Sequence, residues 1–231
     1  MTQLTLLYQD DHFVATAKPP GLLVHRSRIA AGATEFLLQQ LRDQLGVWVY
    51  PVHRLDRPTS GVMVFGLSSE ASQRLAPCFE RHEVEKRYLG IVRGYTKDEG
   101  VIDHPIKDED DGSSKPGVSR YRRLETVELP VPDGRFETSR YSLVELWPQT
   151  GRRHQLRYHM KHISHPLIGD TTYGKGQHNR LFKERYGVSR LLLHAEGLRF
   201  THPFTGEKID LHAPLDDDWQ LLYREFGWEY L

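Results

Sequence analysis

The 231-residue sequence contains a single cysteine, Cys78, and so has no internal disulfide and no cysteine-based zinc site. It also lacks the apolar run of roughly 20 residues that a membrane-spanning helix needs. Its first residues, MTQLTLLYQDDHF, lack the basic start and the small-residue cleavage site of a signal peptide. These absences favour a reducing cytoplasm and predict no membrane partner.

Motifs that hold nucleotides or activate a serine are absent as well. The sequence has no GxxxxGKS or GxxxxGKT loop, no GxGxxG loop and no GxSxG elbow. It therefore indicates no nucleotide cofactor and no serine hydrolase. Cys78 lies in LAPCFE, a pattern more typical of a packed helix than of a nucleophile.

Net charge is zero, with 31 basic and 31 acidic residues, whereas dedicated nucleic-acid binders are usually basic overall. The charge is unevenly distributed, however. Residues 151–162, GRRHQLRYHMKH, hold arginines and a lysine but no acid, while acid concentrates at 107–112 and 216–219. A neutral total can therefore hide one strongly basic face.

Hydrophobic periodicity predicts an alternation of strands and helices along the chain. Strands are expected at 4–8, 12–17, 61–68, 85–94 and 139–148, and in a pair around a turn near 205–206. Helices are expected at 34–46 capped by Thr34, at 69–82 after Ser68 or Ser69, at 151–162 capped by Thr150, and in the tail from 216. Because the strands are many and the crossovers irregular, the pattern favours an α+β fold over a doubly wound sheet.

No stretch resembles a linker, so we expect one domain over residues 1–231. Residues 104–118, HPIKDEDDGSSKPGV, have the composition of a loop and are the best candidate for a mobile surface segment.

The stretch HRLDRPTSG at 53–61 places Asp56 between Arg54 and Arg57. Burial raises a carboxyl pKa above its usual value of about 3.9, and a nearby arginine opposes that rise. A desolvated aspartate that stays ionised is a competent nucleophile. The alternative is a solvated Asp–Arg pair worth about 0–1 kcal/mol. This stretch alone leaves both open.

Tyr88 lies in the strand-like stretch EKRYLGIVRG. A tyrosine on a strand is commonly a core residue, but its ring can also stack on a planar ligand such as a nucleobase. This signal is weak by itself.

The segment TGRRHQLRYHMKHISHPLIGDTTYG at 150–174 is unusually rich in arginine and histidine. On a helix that begins after Thr150, Arg153 and Arg157 would stand one turn apart, beside an N-terminus that favours anions. A zinc site is an alternative, although the histidine spacing fits no standard ligand set. The third alternative is a solvated basic helix, followed by an ordinary turn at GDTTYG.

Together the three clusters resemble motifs of the RluA-type pseudouridine synthases. HRLDRPTSG is similar to their signature, KRYLGIVRG to their tyrosine motif, and 150–174 to their C-terminal arginine motif. AKPPGLLVH at 17–25 and LLLHAEGLRFTHPFTGE at 191–207 also match in kind and order. Within the family, LVHRS, GLSSEA and HPFTGE look most like the branch that modifies uridine 65 of tRNA.

The resemblance implies an enzyme that isomerises uridine to pseudouridine within RNA, without a metal or an organic cofactor. It implies a central mixed, mostly antiparallel sheet with flanking helices and a catalytic cleft. Asp56 would be the catalytic carboxylate, Tyr88 would pack on the target base, and Arg157 would pair with Asp56 and keep it ionised. Arg54 would fill the gap left by the flipped uridine.

The resemblance also implies an RNA partner, most simply tRNA, held by the core itself, because no S4-like domain precedes it. The residues that we expect to contact RNA are Arg54, His53, Arg152, Arg153, His154 and Gln155. The 104–118 loop and the basic run 119–125 are candidates for RNA selection. We expect a monomer. A ribosomal RNA target and a catalytically silent RNA-binding protein are the alternatives.

Overall fold

The structure is a computed structural model that describes residues 3–25, 35–108 and 112–229. Its strands are β1 (Leu6–Gln9), β2 (Phe13–Lys18), β3 (Tyr50–Pro51), β4 (Ser60–Gly66), β5 (Glu85–Arg93), β6 (Glu99–Asp103), β7 (Ile106–Lys107), β8 (Ser114–Lys115), β9 (Val118–Leu129), β10 (Ser139–Pro148), β11 (Leu193–Thr201) and β12 (Lys208–His212). Its helices are α1 (Leu37–Leu45), α2 (Ser69–Glu80), α3 (Gln155–His162), α4 (Gly176–Tyr186) and α5 (Asp217–Phe226). The predicted α+β class is confirmed.

The chain forms two compact units, each built from two segments. The first unit comprises Met1–Lys86 and Ala195–Pro214, and the second comprises Arg87–His194 and Leu215–Leu231. The single domain expected over 1–231 stays a prediction. No helix in the described ranges has both the length and the apolar character needed to cross a membrane.

In the first unit the strand order is β1-β2-β4-β11, with β12 on β11 and β3 on β4. Alternate residues of the paired strands, such as Phe13 on β2 and Val64 on β4, point to one buried face. Leu75 and Phe79 of α2 pack on that face. As expected, Ser68 caps α2, because its hydroxyl accepts the Ala71 N–H at 3.0 Å.

In the second unit the order is β5-β10-β9-β6, and all of these neighbours are antiparallel. This sheet is covered on both faces. Leu156 and Met160 of α3 pack in the cluster that contains Val92 and Leu146. The opposite face packs in a second cluster, with side chains from α4 and α5 that include Trp219.

Two expectations about local structure are corrected. The helix predicted at 151–162 begins only at Gln155, and His154, with a left-handed φ of 55°, is its N-cap in place of Thr150. The Gln155 carboxamide oxygen accepts the Thr150 hydroxyl at 2.7 Å and the Arg152 N–H at 3.0 Å, which holds 150–154 as a loop. Arg153 and Arg157 therefore do not share a helical face.

The second correction concerns 104–118, where β7 and β8 form a short antiparallel hairpin closed by a 2.5 Å ion pair between Lys115 and Asp108. Residues 109–111 lie outside the described residues, as does the predicted cap Thr34. The mobility of this stretch stays a prediction.

Candidate active site

The loop that carries Asp56 connects β3 to β4 in the first unit. Leu55 is buried beside it, and Asp56 itself is half-buried. The Asp56 carbonyl accepts the Thr59 N–H at 3.0 Å, which closes a tight turn immediately after the carboxylate. The loop thus presents an aspartate that is neither fully solvated nor enclosed.

A buried lysine supports this loop from the end of β2. Lys18 is only 1% exposed, and its ammonium donates to the carbonyls of Pro19 at 2.9 Å, Arg57 at 3.0 Å and Thr59 at 2.8 Å. Those bonds compensate the desolvation of the charge. The sequence prediction missed Lys18, and its only sequence signal is the KPPG bend that follows it.

Arg57 fastens the same loop to the KPPG bend from outside. Its Nε donates to the Gly21 carbonyl at 2.9 Å, and the Gly21 N–H donates back to the Arg57 carbonyl at 2.9 Å. Arg54 differs, because its exposed side chain makes no hydrogen bond or ion pair within 3–25, 35–108 and 112–229. Arg57 is therefore committed to the loop, whereas the Arg54 side chain points to no partner in the described ranges.

His53, an expected RNA contact, is half-buried and makes two contacts within the first unit, so its contact with RNA stays a prediction. Its Nε2 accepts the Val64 N–H at 3.1 Å, and its ring stacks on Phe79 at 4.5 Å with an interplanar angle of 11°. Burial, aided by the Lys86 ammonium, lowers the pKa of His53 to about 3, so the ring is neutral near pH 7. These contacts anchor the Asp56 loop to α2 and β4.

Gly61 fixes the path of the chain after the loop. Its φ is +120°, and a Cβ added there would lie 2.1 Å from the Ala195 carbonyl oxygen. Only glycine permits this close approach of β4 to β11, which fixes the position at which β4 begins after the Asp56 loop.

In the second unit, Tyr88 and the helix that carries Arg157 pack on the same face of the sheet. Tyr88 of β5, opposite Leu146 of β10, packs partly against the cluster that contains Leu156 and Met160 of α3. Arg157 lies between those two residues on α3, with a side chain only 5% exposed. Asp56 belongs to the first unit, and its predicted pairing with Arg157 stays a prediction.

Arg157 has a buried partner that the sequence prediction missed. Its Nε donates to Asp170 Oδ2 at 2.7 Å, and its Nη2 donates to Asp170 Oδ1 at 2.9 Å. Asp170 Oδ1 also accepts the N–H groups of Thr172 at 2.8 Å and Tyr173 at 2.9 Å. Burial would raise the pKa of Asp170, but these hydrogen bonds outweigh it and lower the pKa. GDTTYG, one candidate for an ordinary turn, therefore supplies an ionised carboxylate.

Arg152 and Gln155, both expected to bind RNA, tie the start of α3 to the base of the β7–β8 hairpin. Arg152 Nε donates to the Pro116 carbonyl at 3.1 Å, and Gln155 Nε2 donates to the Val118 carbonyl at 2.9 Å. His159 continues this network from Ser119 Oγ at 3.0 Å to the His104 carbonyl at 2.9 Å. Because that carbonyl only accepts, we assign the proton of the neutral ring to Nε2.

The remaining expected RNA contacts lie just before α3. Arg153 is exposed, and His154 is half-buried with its Nδ1 3.3 Å from the Tyr173 hydroxyl. Their contact with RNA stays a prediction.

The histidines that suggested zinc have protein partners. His162 stacks on His104 with ring centroids 3.7 Å apart, and His165 Nδ1 lies 2.8 Å from the Arg93 carbonyl. Within the described part of the chain, no group of three or more His, Cys, Asp or Glu side chains is placed to hold a metal ion.

Comparison with known proteins identifies the family. Residues 12–162 match the model of the RNA pseudouridylate synthase family. The chain is 50% identical to tRNA pseudouridine synthase C of Vibrio cholerae, over 98% of this chain and 97% of that protein. Among solved structures, Human RNA Pseudouridylate Synthase Domain Containing 4 aligns with a TM-score of 0.75 and 25% identity, covering 98% of this chain and 94% of that one. Human RNA Pseudouridylate Synthase Domain Containing 1 aligns at 0.72 and 28%, covering 92% and 83%. The expected resemblance and fold are confirmed, and the chain belongs to the RluA-type RNA pseudouridylate synthase family.

Proposed function

We propose that this chain converts uridine to pseudouridine in tRNA, at position 65, with Asp56 as its catalytic carboxylate. The observation that carries the proposal is the similarity, over nearly the whole chain, to tRNA pseudouridine synthase C. The loop geometry supports it, because Asp56 is half-buried on a turn that Lys18 and Arg57 brace.

The reaction is an isomerisation in which no atom of the nucleoside is lost except by proton exchange. The bond from C1′ to N1 breaks, the uracil rotates, and a bond from C1′ to C5 forms. The proton on C5 then leaves, and N1 gains one. An ionised Asp56 serves either by attack on C1′ or by removal of the C2′ proton.

The other expected residues have distinct tasks in this scheme. The target nucleotide is stacked in RNA and must be extruded, at a cost of a few kcal/mol. Tyr88 packs on the extruded base, and Arg54 occupies the vacated position. Arg157 keeps Asp56 ionised. The pocket must exclude water while the uracil is detached.

Replacement of the carboxylate tests this proposal. With tRNA tritiated at uracil C5, we expect Asp56→Asn to reduce tritium release by at least about 10³-fold, as loss of a catalytic nucleophile does elsewhere. RNA affinity and the melting temperature should change little. Asp11→Asn, an exposed aspartate of the same unit, is the matched control. Wild-type activity in Asp56→Asn would overturn the proposal.

The site of modification is tested with the substrate. A tRNA carrying cytidine at position 65 should release no tritium, and release from ribosomal RNA alone would transfer the activity to that target. We also propose that the chain acts as a monomer in the cytoplasm, where such a substrate is found. Analytical ultracentrifugation tests the first point, and cell fractionation tests the second.

A further inference from the structure

The Arg157 guanidinium is held in one plane by Asp170. Both Nε and Nη2 donate to the carboxylate, at 2.7 and 2.9 Å, and both side chains are buried, with exposures of 5% and 0%. Because a guanidinium is planar, fixing two of its nitrogens also fixes the direction of the third, Nη1. The carboxylate thus determines how the arginine is aimed.

The turn that carries Asp170 is itself rigidly placed. Asn179 of α4 donates to the Asp170 carbonyl at 2.9 Å and accepts the Gly169 N–H at 2.8 Å. Gly169 has a φ of +77°, and an added Cβ would lie 1.7 Å from the Arg190 carbonyl oxygen. The carboxylate therefore starts from a backbone that has little freedom to shift.

A buried ion pair is a poor way to gain stability, because the desolvation of two charges offsets most of their attraction. Such a pair is therefore weak evidence for a purely structural role. Here it orients the arginine to which the proposed function assigns a catalytic task.

We propose that Asp170 is a positioning residue for the pseudouridine synthase reaction, acting through Arg157. This inference rests on the proposed function, in which Arg157 keeps Asp56 ionised. Asp170 aligns Arg157, so loss of the Asp170 carboxylate should lower the rate of the chemical step and leave RNA binding intact.

Asp170→Asn is the informative substitution. An asparagine Oδ1 can still accept the N–H groups of Thr172 and Tyr173, which preserves the turn, whereas its NH₂ group faces the Arg157 Nε–H with a second donor. We expect kcat to fall by about 10- to 100-fold, since a displacement of about 1 Å can cost about 10²-fold. KM and the Kd for tRNA should change less than about 2-fold.

Two further variants separate positioning from general weakening of the fold. Thr172→Val removes only the 3.3 Å contact from Arg157 Nη2 and should lower kcat less than about 3-fold. In an Arg157→Met background, Asp170→Asn should cause no further loss in kcat, because residues that act as a unit are not additive. A role of Asp170 that does not act through Arg157 would instead multiply the two losses.

The outcomes distinguish this inference from the proposed function. An active Asp56→Asn variant overturns the proposed function. An inactive Asp56→Asn together with a wild-type kcat in Asp170→Asn, or multiplied losses in the double variant, overturns only the role of Asp170. Should Asp170→Asn fail to fold, Asp170→Glu keeps the charge but displaces it by one methylene. A wild-type kcat in that variant would overturn the inference, and a fall of about 10-fold or more would support it.

Discussion

The Asp56 loop at 53–61 and the Arg157 segment at 150–174 each hold one side chain in a defined position, but through different kinds of contact. Both hold a charged side chain in a partly or fully buried position. Asp56 is placed through the backbone of its loop, because the Lys18 ammonium donates to the carbonyls of Pro19, Arg57 and Thr59. The cationic Arg157 is placed through its side chain, because Asp170 grips the guanidinium directly.

The difference follows from the geometry of the two cations. An ammonium has three donors that rotate freely, which suits carbonyls that converge irregularly from a loop. A guanidinium offers a planar fork, which suits the two oxygens of a carboxylate. The Asp56 loop therefore depends on the single ammonium of Lys18, whereas the Arg157 segment depends on the ion pair between Arg157 and Asp170.

Among the variants that test this comparison, removal of the Lys18 ammonium should have the largest effect. Lys18→Met leaves the carbonyls of Pro19, Arg57 and Thr59 without their buried donor. We expect the free energy of unfolding to fall by about 3–5 kcal/mol, the range for breaking a buried charged interaction. Because the turn at Asp56 loosens, kcat should also fall by about 10²-fold. Urea titration and tritium release measure these quantities.

The control for this variant is Lys97→Met, which removes an exposed lysine of the second unit. It should change the free energy of unfolding by less than about 0.5 kcal/mol. Equal stability of the two variants would show that Lys18 does not hold the Asp56 loop in place.

The sequence was a good guide where local signals decided the structure. β10 was predicted with its observed bounds because its alternation is regular, and α2 because Ser68 caps it. α4 was missed, since GQHNRLFKERY is mostly polar and only His178 and Phe182 are buried. The start of α3 was misplaced because the Gln155 side chain competes for the groups that a cap would use.

The residues predicted for the site carry sequence signals, whereas the residues that support them do not. Asp56, Tyr88 and Arg157 stand in recognisable motifs. Lys18 reaches Thr59 across 41 residues, and its partners are backbone carbonyls that carry no sequence signature. Asp170 lies only 13 residues from Arg157, but its turn looks ordinary until both charges are known to be buried. Contacts of this kind depend on the fold rather than on spacing.

A smaller effect is the pH dependence of the free energy of unfolding that His53 gives to the Asp56 loop. His53 of the loop is held neutral, with its pKa lowered from 6.5 to about 3. The unfolded chain therefore binds a proton below about pH 6.5 that the folded chain excludes. The stabilisation is complete above that pH and is lost as the pH falls from about 6.5 towards about 3. Between pH 7.5 and 5 the loss is at most about 2 kcal/mol.

The measurement is the free energy of unfolding at both pH values for the wild type and His53→Gln. Glutamine can still accept the Val64 N–H but does not titrate, so its stability should depend less on pH in this window. His25→Gln, at an exposed histidine, should keep the wild-type dependence. If His53→Gln keeps it as well, the ring is not held neutral by the loop.

The smallest expected effect distinguishes the two arginines that flank Asp56. Arg57→Ala removes the 2.9 Å bond to the Gly21 carbonyl, an exposed contact, so the free energy of unfolding should fall by about 0.5–1 kcal/mol. The tRNA affinity should stay within about 2-fold, because this side chain is assigned to the loop and not to RNA.

Arg54→Ala should show the reverse pattern. Its exposed side chain has no bond to lose within the described ranges, so the free energy of unfolding should change by less than about 0.5 kcal/mol. Because Arg54 is proposed to fill the position of the extruded uridine, kcat should fall by about 10-fold or more, in line with the few kcal/mol that extrusion costs. Urea titration and single-turnover tritium release on both variants measure this exchange. A loss of stability without a loss of kcat in Arg54→Ala would mean that Arg54 also serves the loop alone, and that the RNA contact of the Asp56 loop lies elsewhere.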